Sequence, residues 1–171
     1  MQKKTQRTIL FLLGPTATGK TDIVINLCDN FSNTFEIISV DSVQIYKDCN
    51  VGSGKPDDEI LKRYHHHLIN HIDLNDTYNV ARFILDTTTL IDNIFERGNI
   101  PILVGGTGLY IESLINGIVS IPSIPEKIKI ESEKIISKIG KENFFNLVKE
   151  LDSDAMKNIS PNDTQRIQRI W

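Results

Sequence analysis

Gly14-Pro-Thr-Ala-Thr-Gly-Lys-Thr21 has glycine at its first and sixth positions, followed by lysine and a hydroxyl residue. That is the G-x-x-x-x-G-K-[ST] pattern at every fixed position. Each residue type has a use around a phosphate chain. Gly14 and Gly19 let the backbone wrap an anion; Thr16, Ala17 and Thr18 complete the wrap with inward N–H groups, while Pro15, which has no N–H, shapes the turn. A following helix start adds partial positive charge. Lys20 neutralises the outer phosphate, and the Thr21 hydroxyl is a ligand for Mg²⁺. The loop alone would serve ATP, GTP or another diphosphate, so it does not name the substrate.

Three further groups invite chemistry. Asp41 closes an apolar run, and a carboxylate there can hold Mg²⁺ or accept a proton. Gly105-Gly-Thr107 follows another apolar run and offers a second donor-rich corner, in which Thr107 serves as a helix cap, as a hydroxyl donor, or as both. His65-His-His67 suggests a metal, but neighbouring residues of a strand point to opposite faces and chelate poorly. These histidines read as structural, with no zinc.

The elements that must position these groups follow from apolar spacing. Residues 9–13 are a continuous apolar run, as in a parallel strand buried on both faces, and residues 35–40 and 100–104 read as two further buried strands. Residues 68–72 are a candidate third strand. Residues 21–30, 80–97 and 107–116 have helical spacing, the second ending at Gly98. Residues 42–63 read as loop plus a short helix. Alternating strands and helices predict an α/β fold, a phosphate-loop parallel sheet with helices on both faces. After the linker over residues 121–125, a Lys-, Glu- and Ile-rich stretch predicts a small helical insertion.

Beside the phosphate loop stand Ile38-Ser-Val-Asp-Ser-Val-Gln-Ile-Tyr46, Gly52-Ser-Gly-Lys-Pro56, His66-His-Leu-Ile-Asn70, Leu103-Val-Gly-Gly-Thr-Gly-Leu-Tyr110 and Asn162-Asp-Thr-Gln-Arg-Ile-Gln-Arg169. In this order they resemble the tRNA dimethylallyltransferase family from the first strand to the last residue. The resemblance implies transfer of a dimethylallyl group from dimethylallyl diphosphate to the N6 amine of the adenosine beside the anticodon. It makes Asp41 the acceptor or base for that amine and sets Thr107 against the bridging oxygen of the diphosphate, with Lys20 as third catalytic group. Asp41, Ser42, Val43, Gln44 and Thr107 would meet the flipped-out adenosine. Lys129, Gln165, Arg166, Ile167, Gln168 and Arg169 would contact the anticodon stem-loop. Mg²⁺ is the implied cofactor.

Residues 1–120 are then the catalytic core, 121–160 the tRNA-contacting insertion, and 161–171 the start of a returning core helix. Asn70 stands where relatives usually carry Asp, Ser53-Gly54 replaces Thr-Ala, and relatives continue beyond Trp171. The C-terminal part of the family fold is thus missing, which predicts an uncovered sheet edge and poor burial of Ile167 and Trp171. A separate C-terminal polypeptide is one way to complete the fold; otherwise a monomer is expected. The alternatives are a non-catalytic diphosphate-binding remnant or a small-molecule kinase. The kinase fits less well, because residues 118–151 carry no Arg for a phosphate lid.

The bulk properties set bounds on this reading. A net charge of −3 excludes a generally basic nucleic-acid coat and requires a local patch for RNA. Cys28 and Cys49 lack ligand spacing. No apolar run reaches the roughly 18 residues of a membrane span. The apolar run over residues 8–13 is too short for a signal peptide and leads into a glycine loop. A cytoplasmic protein is expected.

Overall fold

Continuous apolar runs become adjacent parallel strands in the computed structural model, which describes residues 7–31, 34–118 and 124–171. The chain divides into two compact units, Met1–Val119 and Ser120–Trp171. The basic stretch over residues 1–6 and most of the linker expected over residues 121–125 lie outside the described residues.

The first unit runs β1 (Leu10–Leu13), α1 (Lys20–Asn30), β2 (Phe35–Val40), α2 (Asp58–Arg63), β3 (His66–His67), α3 (Val80–Glu96), β4 (Ile100–Gly105) and α4 (Gly108–Asn116). The sheet order is β1-β4-β2-β3, with every pairing parallel. β2 and β4 are central and buried nearly throughout; β4 is wholly apolar, whereas β2 carries Glu36 and Ser39 among its apolar residues.

Register decides which helix covers which face. Ile37 pairs with Ile102, and both pack with Val24 of α1. Their successors Ile38 and Leu103 point the other way, into a core with Phe83 and Ile94 of α3 and Tyr110 and Ile111 of α4. The Phe83 and Tyr110 rings stack 4.4 Å apart. Helices therefore cover both faces, as expected. On edge strand β1, Leu10 and Leu12 turn toward the α1 side, while Phe11 and Leu13 stay 40% and 46% exposed.

α3 matches its sequence pattern. The Asn79 side chain caps it by accepting from Arg82 N at 3.0 Å, and Gly98, at φ 77°, ends it. The third strand differs from the expectation of residues 68–72 and is His66–His67. Leu68 and Asn70 take left-handed backbone, φ 60° and 51°, which bends the chain out of the ladder. Ile72 returns only as an isolated parallel bridge to Tyr46.

The second unit comprises α5 (Glu126–Ile139), α6 (Lys141–Leu151) and α7 (Thr164–Ile170). Phe144, Val148, Met156 and Ile167 form its buried centre, with Trp171 packed on Phe144 at 5.7 Å. Ile167 is 1% exposed and Trp171 is half-buried, against the expectation of poor burial for both. The physical reason is that α7 is short and finds its apolar partners on α6, within this unit.

Candidate active site

The end of β1 and the start of α1 hold the phosphate loop. Gly14 N donates to Gly105 O at 3.2 Å, tying the loop to the end of β4. Ala17 and Gly19 have φ of 64° and 76°. Such left-handed residues in a turn point successive N–H groups into one concavity, which suits an anion. Thr18 Oγ1 donates to Pro15 O at 2.9 Å, and Lys20 Nζ to the same carbonyl at 2.5 Å, so both side chains fold over the loop.

The surrounding glycines allow close approach. A Cβ on Gly105 would collide with the backbone carbonyl of Val40, and one on Gly106 would lie 2.9 Å from Gly14 O. Only a glycine pair there lets β4 pass between β2 and the loop. A cavity of about 300 Å³ results, lined by the loop together with Asp41, Gln44, Gly54 and Gly105-Gly106. Thr21 also lines it. Its hydroxyl and the nearby carboxylates are hard oxygen donors of the kind Mg²⁺ prefers, so the donor set fits that ion.

Asp41 sits immediately after β2. Its Oδ1 accepts from Val43 N at 2.8 Å and Gln44 N at 3.1 Å, which fixes the carboxylate and curls the chain beneath it. Thr107 N donates to Val40 O at 3.3 Å, so the second corner stands beside Asp41 in the backbone. Thr107 is the N-cap of α4, yet its hydroxyl makes no capping bond. Of the two readings of this residue, side-chain capping is therefore not the one realised. Ser42 and Val43 are exposed. Gln44 faces inward instead: Nε2 donates to Gly54 O at 2.9 Å and Ser53 O at 3.3 Å, and Oε1 accepts from Ser39 Oγ at 3.0 Å.

The histidines need a correction. His65 and His67 lie two residues apart on one face, and Glu36 shares it, with the ligand atoms of all three within 4.8 Å of one another. Opposite faces separate His66 from each neighbour but not His65 from His67. Glu36 is nevertheless engaged: Arg97 forks onto both oxygens at 2.8 and 2.7 Å, Asn99 donates at 3.0 Å, and His67 Nε2 lies 2.7 Å from Oε2. The Arg97 guanidinium holds the Glu36 carboxyl down to about 2, and burial pushes the His67 imidazole down. With three partners making four contacts on its two oxygens, Glu36 joins β2, β3 and the end of α3 rather than offering a free ligand. Cys28 is half-buried, and burial raises its thiol.

In the helical unit, Gln165, Arg166 and Arg169 are exposed on α7. Arg166 pairs with Asp163 at 2.8 Å, whereas Ile167 belongs to the core and Gln168 donates to Ser132 Oγ at 3.0 Å. Ser132 in turn donates to Lys129 O at 2.7 Å, which places the Lys129 backbone near α7. The stretch 165–169 therefore splits between surface and packing. Sequence reasoning also missed Ser39 and Lys55 as partners of the Asp41 loop. The Gly52-Ser-Gly-Lys-Pro56 motif pointed to that segment without naming its contacts.

Residues 44–171 match the IPP transferase family. The chain belongs to that family. It is 40% identical to the tRNA dimethylallyltransferase of Vesicomyosocius okutanii over 163 residues, covering 95% of this chain and 53% of the relative. It is 37% identical to that of Pelagibacter ubique over 166 residues, covering 97% and 52%. Among solved structures, a eukaryotic dimethylallyltransferase acting on tRNA superimposes with a TM-score of 0.75 at 30% identity, covering 96% of this chain and 40% of that one. The tRNA isopentenylpyrophosphate transferase of Bacillus halodurans gives 0.63 at 33%, covering 96% and 54%. The chain thus spans about half the length of the curated IPP transferase relatives it matches, and within that half it has their α/β fold.

Proposed function

We propose that this chain carries the donor and acceptor groups of a tRNA dimethylallyltransferase. The observation that supports this reading is one cavity holding both a phosphate cradle and a fixed carboxylate, Asp41, in a chain of the IPP transferase family. The cradle residues Gly14 to Thr21 bind the diphosphate of dimethylallyl diphosphate, with Lys20 on its outer charge. Thr21 holds Mg²⁺, which neutralises diphosphate charge when bound. The N6 amine of adenosine 37, flipped from the anticodon loop, forms a bond to C1 of the prenyl group as the C1–O bond breaks. Diphosphate leaves with the bonding electrons, Thr107 donates to the bridging oxygen, and Asp41 takes the amine proton. The product is N6-isopentenyladenosine.

Residues 1–120 serve as catalytic core and 121–160 as the tRNA-contacting insertion, with Lys129 of the insertion, and Arg166 and Arg169 of the stretch that follows it, meeting the stem-loop. Such an enzyme works in the cytoplasm. No helix of the described residues is long and apolar enough to cross a membrane.

The test is transfer of labelled prenyl to tRNA by the purified chain, alone and with the remainder of a relative supplied in trans. Label appearing on the adenosine supports the reading. Tight binding of dimethylallyl diphosphate with no transfer under either condition would assign a diphosphate-binding role only. Preference for ATP would point to a kinase.

A further inference from the structure

Gln44 and Gly54 line the phosphate cavity, but both sit on a loop with little regular structure of its own. Something must hold that loop at the cavity. Gln44 supplies part of the answer by donating to Gly54 O and Ser53 O. Gly54 in turn lies close to the phosphate loop, where an added Cβ would be 3.8 Å from Thr16 Cγ2. The rest of the hold is Lys55. Its ammonium donates to Tyr46 O at 2.6 Å, to Asn50 Oδ1 at 3.2 Å and to Asn70 Oδ1 at 2.7 Å.

Lysine has three donors and no acceptor, and here all three are spent on neutral oxygens, two on the 44–54 loop and one on the Asn70 turn. Asn70 holds its place through left-handed backbone, φ 51°, which asparagine tolerates better than most residues. Asn70 N also donates to Gln44 O at 3.1 Å, so the same turn grips the loop by backbone and by side chain. The phosphate loop, by contrast, is closed by its own bonds through Pro15, Thr18 and Lys20.

From this division we infer that Lys55 is a positioning residue for the acceptor side of the cavity: it clasps the 44–54 loop to the Asn70 turn and so fixes Gln44 and Gly54 where the adenine enters. The inference rests on the prenyl-transfer reading for what enters the cavity, and on geometry alone for the clasp. Removing the ammonium leaves three oxygens without their donor and frees the acceptor wall, while the diphosphate cradle keeps its bonds.

The test compares the chain with Lys55→Met, Lys55→Arg and Asn70→Asp in two measurements. Amide hydrogen exchange over residues 43–54 should quicken in Lys55→Met and return toward the parent in Lys55→Arg. It should stay slow in Asn70→Asp, where a carboxylate faces the ammonium. Affinity for an anticodon stem-loop, relative to the same loop with its target adenosine replaced by guanosine, should fall about tenfold in Lys55→Met, the size of one lost charge-assisted bond. Affinity for dimethylallyl diphosphate should change less than about twofold, well under the energy of one charge-assisted bond. Unchanged exchange in Lys55→Met, or parallel loss of both ligands, would overturn the inference. A parent chain that does not distinguish the two stem-loops would sink the prenyl-transfer reading, while the exchange result still judges the clasp.

Discussion

Asp41 is held by two backbone amides on one oxygen, which leaves the other to act on a substrate. Asp41→Asn keeps shape and the ability to accept those two bonds but loses proton acceptance. Diphosphate and RNA affinity should persist while any transfer rate falls by roughly 10²–10⁴, the range for a positioned base. Loss of diphosphate affinity in step with the rate would instead make Asp41 a Mg²⁺ ligand. Ala17 bears on stability. Its left-handed backbone costs about 1–2 kcal/mol for a residue with a Cβ. Glycine escapes that cost, against roughly 0.4–1 kcal/mol of added unfolded-chain entropy. Ala17→Gly should therefore be neutral or stabilising by up to about 1.5 kcal/mol in chemical denaturation; a clear loss would mean that the methyl group packs favourably.

At the scale of elements, β2, β4 and α3 were readable because the two strands are short, mostly apolar runs and α3 repeats its apolar residues at helical spacing. The end of β3 was not, because it depends on left-handed backbone at Leu68 and Asn70, and Asn70 is held from elsewhere by Lys55 and Gln44. The same applies to the site. The phosphate loop and Asp41 are local motifs, whereas the inward commitment of Gln44 and the His65–Glu36 juxtaposition arise only when strands pair. α3 carries one internal mismatch: Thr87 is fully buried and its hydroxyl has no partner. Thr87→Val removes the stranded group at nearly constant shape and should stabilise by about 1 kcal/mol, read from the thermal midpoint. The joint between β2 and α3 sets a pH limit. Glu36 has its folded value lowered from 4.5 to about 2, so its contribution is present above about 4.5 and disappears as pH falls toward 2. Glu36→Gln should cost stability at neutral pH and flatten the acid limb between those values. An acid limb as steep as the parent's would remove Glu36 from that role.

At the scale of the whole molecule, the two compact units have separate apolar centres, one built on the sheet and one on three helices. The first was anticipated in most of its parts. The second was anticipated as helical but not as self-contained, because apolar positions in α7 do not reveal whether they face a sheet or a neighbouring helix. Phe11 and Leu13 on β1 show the limit of periodicity in another way, since a buried-strand sequence at a sheet edge leaves half its side chains uncovered.

The chain has a single tryptophan, and it lies against Phe144 in the helical unit. Intrinsic emission excited at the indole therefore reports on that unit's core alone, whereas circular dichroism in the far ultraviolet averages over every helix and strand. A denaturant titration followed both ways is then a direct optical measure of whether the halves come apart together. Coincident midpoints would show one cooperative transition. Separated midpoints would order the two melting events without any added label.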